Sequence, residues 1–199
     1  FDAHCGVYNA SVIGCTVAYI SLIGQGTFTL EGTTVYATRV DTNNSRVIEL
    51  RPDYGSSFNG TLIVKDVTVK YIDTNRDVDL MHCTWSDTYR GFKTHLPGKI
   101  YLDNVKLVQV KFENDVESVV GENRKTLNLV PQAIATMKDD LSAPSLQNPY
   151  EGTKELYITN CGNLSVFIPT SPQFRYLREN VHIDNDNDGF CDIIKECGC

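Results

Sequence analysis

The stretch Phe28-Thr-Leu-Glu-Gly-Thr-Thr-Val35 decides the fold, because it recurs as Leu62-Ile-Val-Lys-Asp-Val-Thr-Val69 and as Ile100-Tyr-Leu-Asp-Asn-Val-Lys-Leu107. Weaker copies run from Ala10 to Val17 and from Leu156 to Asn163. In each copy an apolar strand meets Gly, Asp or Asn at its fifth position, where a corner needs a permissive backbone, and then resumes with an inward residue. The unit is strand, corner, strand. The copies end at residues 17, 35, 69, 107 and 163, so the steps are 18, 34, 38 and 56 residues and the repeat is irregular, with insertions.

Working outward, period-two alternation of β-branched residues dominates, as in Thr27-Phe28-Thr29-Leu30 and Arg46-Val47-Ile48-Glu49-Leu50, and helical spacing is almost absent before residue 115. A sandwich of regular hairpins would place Asn-Gly or Asp-Gly between its strands. Only Asn59-Gly60 and Asp188-Gly189 occur. An all-β chain of stacked strand-corner-strand units is expected.

This pattern resembles the right-handed parallel β-helix, the pectin-lyase-like solenoid, over roughly residues 1 to 165. Phe1-Asp-Ala-His-Cys-Gly-Val-Tyr-Asn-Ala and Leu50-Arg-Pro-Asp-Tyr-Gly-Ser are similar to segments of β-helix-repeat proteins of gut bacteria and their phages. The resemblance implies a lateral face that engages, and in some members cleaves, a polysaccharide or cell-surface glycan. It equally implies a non-catalytic structural or adhesive fibre, such as a phage tail component or cell-surface appendage, assembled as a homotrimer or filament.

The 199 residues, 41% hydrophobic and 22% charged, are enough for one sizeable core plus an appendage. Eighteen Lys and Arg against 25 Asp and Glu give a net charge of −7, which argues against nucleic acid and anionic lipid surfaces as partners. No apolar run approaches the roughly 18 residues a membrane-spanning helix needs. The opening at Phe1, without Met and already inside a patterned segment, is that expected of a fragment or processed product. Seven Cys, three of them (Cys191, Cys197, Cys199) in the last nine residues, favour an oxidising, extracellular or surface-exposed setting.

The expected organisation is residues 1–168 as β-helix coils, interrupted by an insertion or degenerate coil at about 114–150, followed by a C-terminal cap over 169–199. Short helices are expected from Pro131 to Met137 and from Gln173 to Val181. In the cap, Asp184-Asn-Asp-Asn-Asp-Gly-Phe-Cys-Asp192 puts carboxylates at loop positions 1, 3, 5 and 9 and Gly at 6. Asp184, Asp186, Asp188 and Asp192, with the backbone carbonyl of Phe190, are therefore candidate Ca2+ ligands. Lys195 stands where an EF-hand has its bidentate Glu, and the loop looks more like the calcium repeats of thrombospondin type 3. Zinc held by the three Cys and His182 is disfavoured because no Cys-x-x-Cys knuckle occurs. A disulfide from Cys191 to Cys197 or Cys199 would brace the loop.

Residues i and i+2 of a strand share a face, so Asp2 with His4, Arg51 with Asp53, and His82 with Thr84 form polar pairs opposite apolar neighbours such as Met81 and Cys83. Placing Phe1–Gly6, Ser21–Gly26, Ile48–Tyr54 and Leu80–Trp85 on consecutive rungs about 4.8 Å apart aligns these pairs into a ridge. Asp2 and Asp53 would then stand two rungs apart, about 10 Å, near the upper limit for an inverting hydrolase. A β-elimination would instead use His4 or His82 as base and Arg51 to neutralise a uronate. Tyr54 and Tyr89 are the candidate sugar-stacking residues. The competing reading is an ordinary solvated surface joined by an Asp53–His82 or Arg51–Asp2 pair. Cys15 and Cys161, at the repeat position of Thr33, Val67 and Val105, are expected to be buried packing residues.

Overall fold

Gly14, Gly32, Asp66, Asn104 and Asn160 occupy the fifth position of the five repeat copies, and all five have left-handed backbone, with φ of 62°, 56°, 52°, 54° and 55°. Gly takes that conformation without a Cβ penalty, and Asn and Asp tolerate it better than other residues. The corner is thus a property of residue type, and the strands on either side follow from it. In this computed structural model the residues described are 1–2, 7–40, 44–51, 58–72, 76–83, 85–86, 92–93, 96–120, 126–129, 153–162, 164–169, 181–184 and 195–197.

Among them are strands and no helix. In chain order they are β1 (Val7–Ile13), β2 (Thr16–Val17), β3 (Ile20–Leu22), β4 (Gly24–Glu31), β5 (Thr34–Tyr36), β6 (Arg39–Val40) and β7 (Asn44–Leu50). Next come β8 (Thr61–Tyr71), β9 (Asp77–Cys83), β10 (Trp85–Ser86), β11 (Phe92–Lys93), β12 (Lys99–Glu113) and β13 (Val116–Val119). The last are β14 (Leu127–Asn128), β15 (Glu155–Thr159), β16 (Leu164–Ser165), β17 (Phe167–Pro169), β18 (Val181–Asp184) and β19 (Lys195–Cys197). Among the described residues no helix is long and apolar enough to cross a membrane.

Two curled sheets carry the architecture. The first has the order β1-β4-β8-β12-β15-β18, parallel throughout, with β5 pairing the distal half of β8, β2 pairing β5, and β13 antiparallel on β12. The second has the order β3-β7-β9-β14-β16, also parallel, with β6 antiparallel on β7. The chain visits the sheets alternately, and each return lays a strand beside the one left on the previous visit. Parallel neighbours require such crossovers, because a tight hairpin yields only antiparallel strands.

The register makes the repeat visible in space. Ala10, Phe28, Leu62, Ile100 and Leu156 are successive partners, as are Val12, Leu30, Val64, Leu102 and Ile158, and beyond the corner Val17, Val35, Val69 and Leu107. Ile20, Ile48 and Met81 form a matching column in the second sheet. These residues belong to one hydrophobic core, with Ala10 and Val17 at its margin. Each fully buried aliphatic or Phe side chain contributes about 1.5–3 kcal/mol relative to exposure. Where the stacked backbones come closest only Gly fits. A Cβ on Gly26 would lie 1.5 Å from the Tyr8 carbonyl oxygen, and one on Gly60 would lie 1.9 Å from that of Gly26.

One expectation is overturned. Cys161 is buried, but Cys15 is exposed. Both thiols make the same local hook, donating to the carbonyl two residues back (Cys15 to Ile13 at 3.2 Å, Cys161 to Thr159 at 3.1 Å), as the Thr33 hydroxyl does to Glu31 at 3.0 Å. The position is equivalent, but Cys15 follows β1, the outermost described strand of its sheet, and no described strand stacks over it.

The segment expected to interrupt the repeat opens with a hairpin: Asn114 (φ 50°) and Asp115 (φ 64°) join β12 to β13 in the two-residue form with both central φ positive. Leu127 and Asn128 then rejoin the second sheet between β9 and β16. The helix expected from Pro131 to Met137 lies outside the described residues, as does nearly all of the one expected from Gln173 to Val181, whose last residue opens β18.

Candidate functional site

The second sheet repeats a short pattern of apolar, polar, apolar: Ile20-Ser21-Leu22, Ile48-Glu49-Leu50, Met81-His82-Cys83. The apolar flanks set the register, and the polar centres therefore stack. Ser21 pairs with Glu49, Glu49 with His82, and Asp2 joins the end of the column through a parallel bridge to Ser21. Four polar residues thus follow one another along one bridge and three consecutive strands, about 4.8 Å apart.

Arg51, two residues beyond Glu49 and anchored by its N–H to the Leu22 carbonyl at 2.9 Å, shares the face of the column. Its Nη1 donates to Asp2 Oδ1 at 2.6 Å, with the Asp2 side chain 54% exposed and Arg51 20%. Glu49 is more enclosed: the Tyr19 hydroxyl donates to its Oε2, and Arg46 Nη2 lies 3.8 Å from the same oxygen. Ser21 is fully buried and its Oγ has no hydrogen-bond partner among the described residues. His82 is half-buried.

The order of the column limits its chemistry. A nucleophilic serine needs the imidazole next to it and the carboxylate beyond. Here Glu49 stands between Ser21 and His82, and the hydroxyl has no access to solvent, so the column is not built for acyl transfer. Glu49 and His82 are register partners on adjacent strands. Asp2 and Glu49 stand two strands apart, roughly 9–10 Å, the upper end of the separation that leaves room for a water between two carboxylates.

Of the residues singled out from the sequence, Asp2, Arg51 and His82 come together here, and the Arg51–Asp2 pair forms. Among the described residues the carboxylate two strands from Asp2 is Glu49, because the apolar flanks Ile48 and Leu50 bring it level with Ser21. His4, Asp53, Tyr54 and Tyr89 lie outside the described residues. So do Asp186, Asp188, Phe190 and Asp192 of the expected calcium loop and Cys191 and Cys199 of the expected disulfide, and of Asp184 the backbone alone is described, as the end of β18 in register with Thr159. Among the described residues no group of three or more His, Cys, Asp or Glu is placed to hold a metal ion. Sequence reasoning missed Glu49, Tyr19 and Arg46. The signal for Glu49 was the repeated apolar-polar-apolar triplet.

A second outward column, also missed, runs along the first sheet. Tyr101, Tyr157 and His182 are successive register partners. Their rings follow one another at 5.9 Å and 4.7 Å between centroids, the second pair stacked, and Tyr157 is 45% exposed. Beside it Glu155 accepts from Lys99 at 2.7 Å and from the Tyr101 hydroxyl at 2.6 Å. The Lys99 hydrogen bond, then that of Tyr101, hold the Glu155 carboxyl below its ordinary range, and the bond to Glu155 pushes the Tyr101 phenol up.

No family model, no curated protein and no solved structure matches this chain.

Proposed function

We propose that the chain is a right-handed parallel β-helix that binds a polysaccharide along its lateral face. Alternating visits to two parallel sheets support the solenoid, and parallel crossovers are right-handed in about 98% of cases. The observation that carries the binding reading is the in-register column in which Asp2, Glu49 and His82 follow one another around the buried Ser21, with Arg51 bonded to Asp2. Side chains repeated at the strand spacing match a ligand that is itself a repeating polymer. The part-exposed Tyr157 on the first sheet adds aromatic surface of the kind sugars stack on.

In this reading Asp2 and Arg51 are the solvent-facing contacts, and Glu49 with His82 is the acid–base pair available for cleavage. The acidic, Cys-rich tail is a cap braced by Ca2+ at Asp184, Asp186, Asp188, Phe190 and Asp192, in keeping with a secreted or surface-exposed protein.

A polysaccharide array and digestion screen tests the reading, run on the wild type and on Asp2→Asn, Glu49→Gln and His82→Ala. The expected result is retention of at least one polysaccharide, weakened about tenfold or more by Asp2→Asn with the circular dichroism spectrum unchanged, as for loss of a charged hydrogen bond. Oligosaccharide release abolished by Glu49→Gln would make the protein a hydrolase or lyase. Binding to no polysaccharide, or binding indifferent to all three substitutions, overturns the proposal.

A further inference from the structure

On the second sheet each guanidinium beside the polar column already faces a carboxylate: Arg51 donates to Asp2 at 2.6 Å, and Arg46 Nη2 lies 3.8 Å from Glu49. Asp79, the register partner of Arg46 and fully buried, is a third carboxylate and accepts from Asn128 at 3.1 Å. Two cations against three anions leave an excess of negative charge, which a protonated His82 would only cancel.

The first sheet follows the same rule. Lys65 pairs with Glu31, Lys70 with Glu117, Lys99 with Glu155 and Lys111 with Glu113. The positions in line with these pairs and with the tyrosines are uncharged: Thr27 and Thr61 stand in register with Lys99, and Thr29 and Ile63 with Tyr101 and Tyr157. Lys106 and Lys154 are exposed outside the pairs, one beyond the Asn104 corner of β12 and the other just before β15, and they make no row along the stack.

A polymer with a carboxylate or sulfate on every sugar is best held by cations at its own repeat, through charge-assisted hydrogen bonds. Here each paired cation would have to leave a carboxylate, which would then face the anionic ligand, and the net charge of −7 adds a general repulsion. Hydroxyl groups meet the opposite situation. An ionised carboxylate only accepts hydrogen bonds and has about four sites for them, so Asp2, 54% exposed, can take a sugar hydroxyl while holding Arg51. With a charged acceptor that bond is roughly twice as strong as one between neutral groups.

We propose, on the polysaccharide reading above, that the ligand is an uncharged polysaccharide and that polyuronates and sulfated polymers are excluded. β-Elimination, which requires a uronate, then has no substrate at this face.

Retention of the full chain on immobilised polymers tests the proposal, with a β-glucan, a galactomannan and an arabinoxylan set against polygalacturonate, alginate and dextran sulfate. The expected result is retention on at least one neutral polymer, changed less than about twofold between about 0.1 M and about 1 M salt, where charges are screened beyond about 10 Å and about 3 Å. No retention is expected on the anionic polymers. Retention on an anionic polymer alone, lost at the higher salt, overturns the inference and leaves the polysaccharide reading standing. Retention on no polysaccharide overturns the reading and the inference with it. Asp2→Asn removes the carboxylate opposite Arg51 at nearly constant size, and is expected to weaken retention on the neutral polymer while allowing polygalacturonate to be held at the lower salt. A wild type that holds polygalacturonate as well as this variant does overturns the inference, whatever its behaviour towards neutral polymers.

Discussion

Asn104 donates from its Nδ2 to Asp66 Oδ1 at 2.6 Å, linking the corner of one strand-corner-strand unit to the corner of the unit before it, 38 residues earlier. Both residues are in the left-handed region. The residue types that make the turn tolerable for an L-amino acid also carry short polar side chains, so the corners bond to one another as they stack. Asn160 extends the pattern through Asp103, to which it donates at 2.9 Å. Corner formation and inter-strand adhesion thus come from the same few residues.

Glycine substitutions separate the two reasons for glycine here. Gly14 has φ 62°, and a Cβ there would meet nothing within 4 Å, whereas Gly26 has φ 86° and a Cβ there would lie 1.5 Å from the Tyr8 carbonyl oxygen. Gly14→Ala should cost about 1–2 kcal/mol, the left-handed penalty alone. Gly26→Ala should cost clearly more, because two backbones must separate. Equal losses in urea denaturation would contradict this account of the stacking.

Leu62 is fully buried and lies in register between Phe28 and Ile100. Leu62→Ala should destabilise by about 2–5 kcal/mol, since flanking strands locked on both sides limit collapse of the cavity. Tyr157→Ala, on the outward face of the same sheet, should cost much less. The midpoints of denaturant unfolding rank the two.

The repeat was legible because its causes are local. Val17, Val35, Val69 and Leu107 are the ends of aligned copies in the sequence and register partners in space. The fifth-position residues are the corners because tolerance of positive φ belongs to the residue itself. What depends on position in the stack was not legible. Cys15 has the sequence context of Cys161 yet is exposed, because which strand lies outermost is not written in an octapeptide. The Asn114-Asp115 hairpin lacks the glycine that usually marks such turns. Glu49 was hidden because its place opposite Ser21 is a matter of register between strands 28 residues apart.

The hairpin carries Glu117 to Tyr36 and Lys70, both of which donate to its carboxylate, with the Lys70 ammonium 5.4 Å from the centre of the Tyr36 ring. The Lys70 bond first, and the Tyr36 bond second, hold the Glu117 carboxyl below its ordinary 4.5. A carboxyl with a lowered folded value lends stability above its unfolded value and loses it as pH falls through the folded one. The hairpin should therefore loosen only below pH 4.5. An NMR titration should place the Glu117 midpoint under 4.5 in the wild type and nearer to it in Lys70→Met. A wild-type midpoint at or above 4.5 would remove the clamp.

Cys15 and Cys161 should differ sharply in reactivity. Cys161 sits in apolar surroundings that push its thiol from 9.0 up to about 11, with the Val105 N–H to its Sγ at 3.4 Å opposing the shift. At pH 8 the nucleophilic thiolate is then almost absent from a site that reagents cannot reach, whereas Cys15 is open to solvent. Iodoacetamide followed by peptide mapping should modify Cys15 in the native protein and Cys161 only on unfolding. Because the folded thiol holds its proton more tightly than the unfolded one, the stability it lends is complete below pH 9 and falls as pH rises towards 11. Cys161→Ala should flatten that part of the stability profile, and comparable labelling of the two thiols at pH 8 would show that the Cys161 end of the column is as open as the Cys15 end.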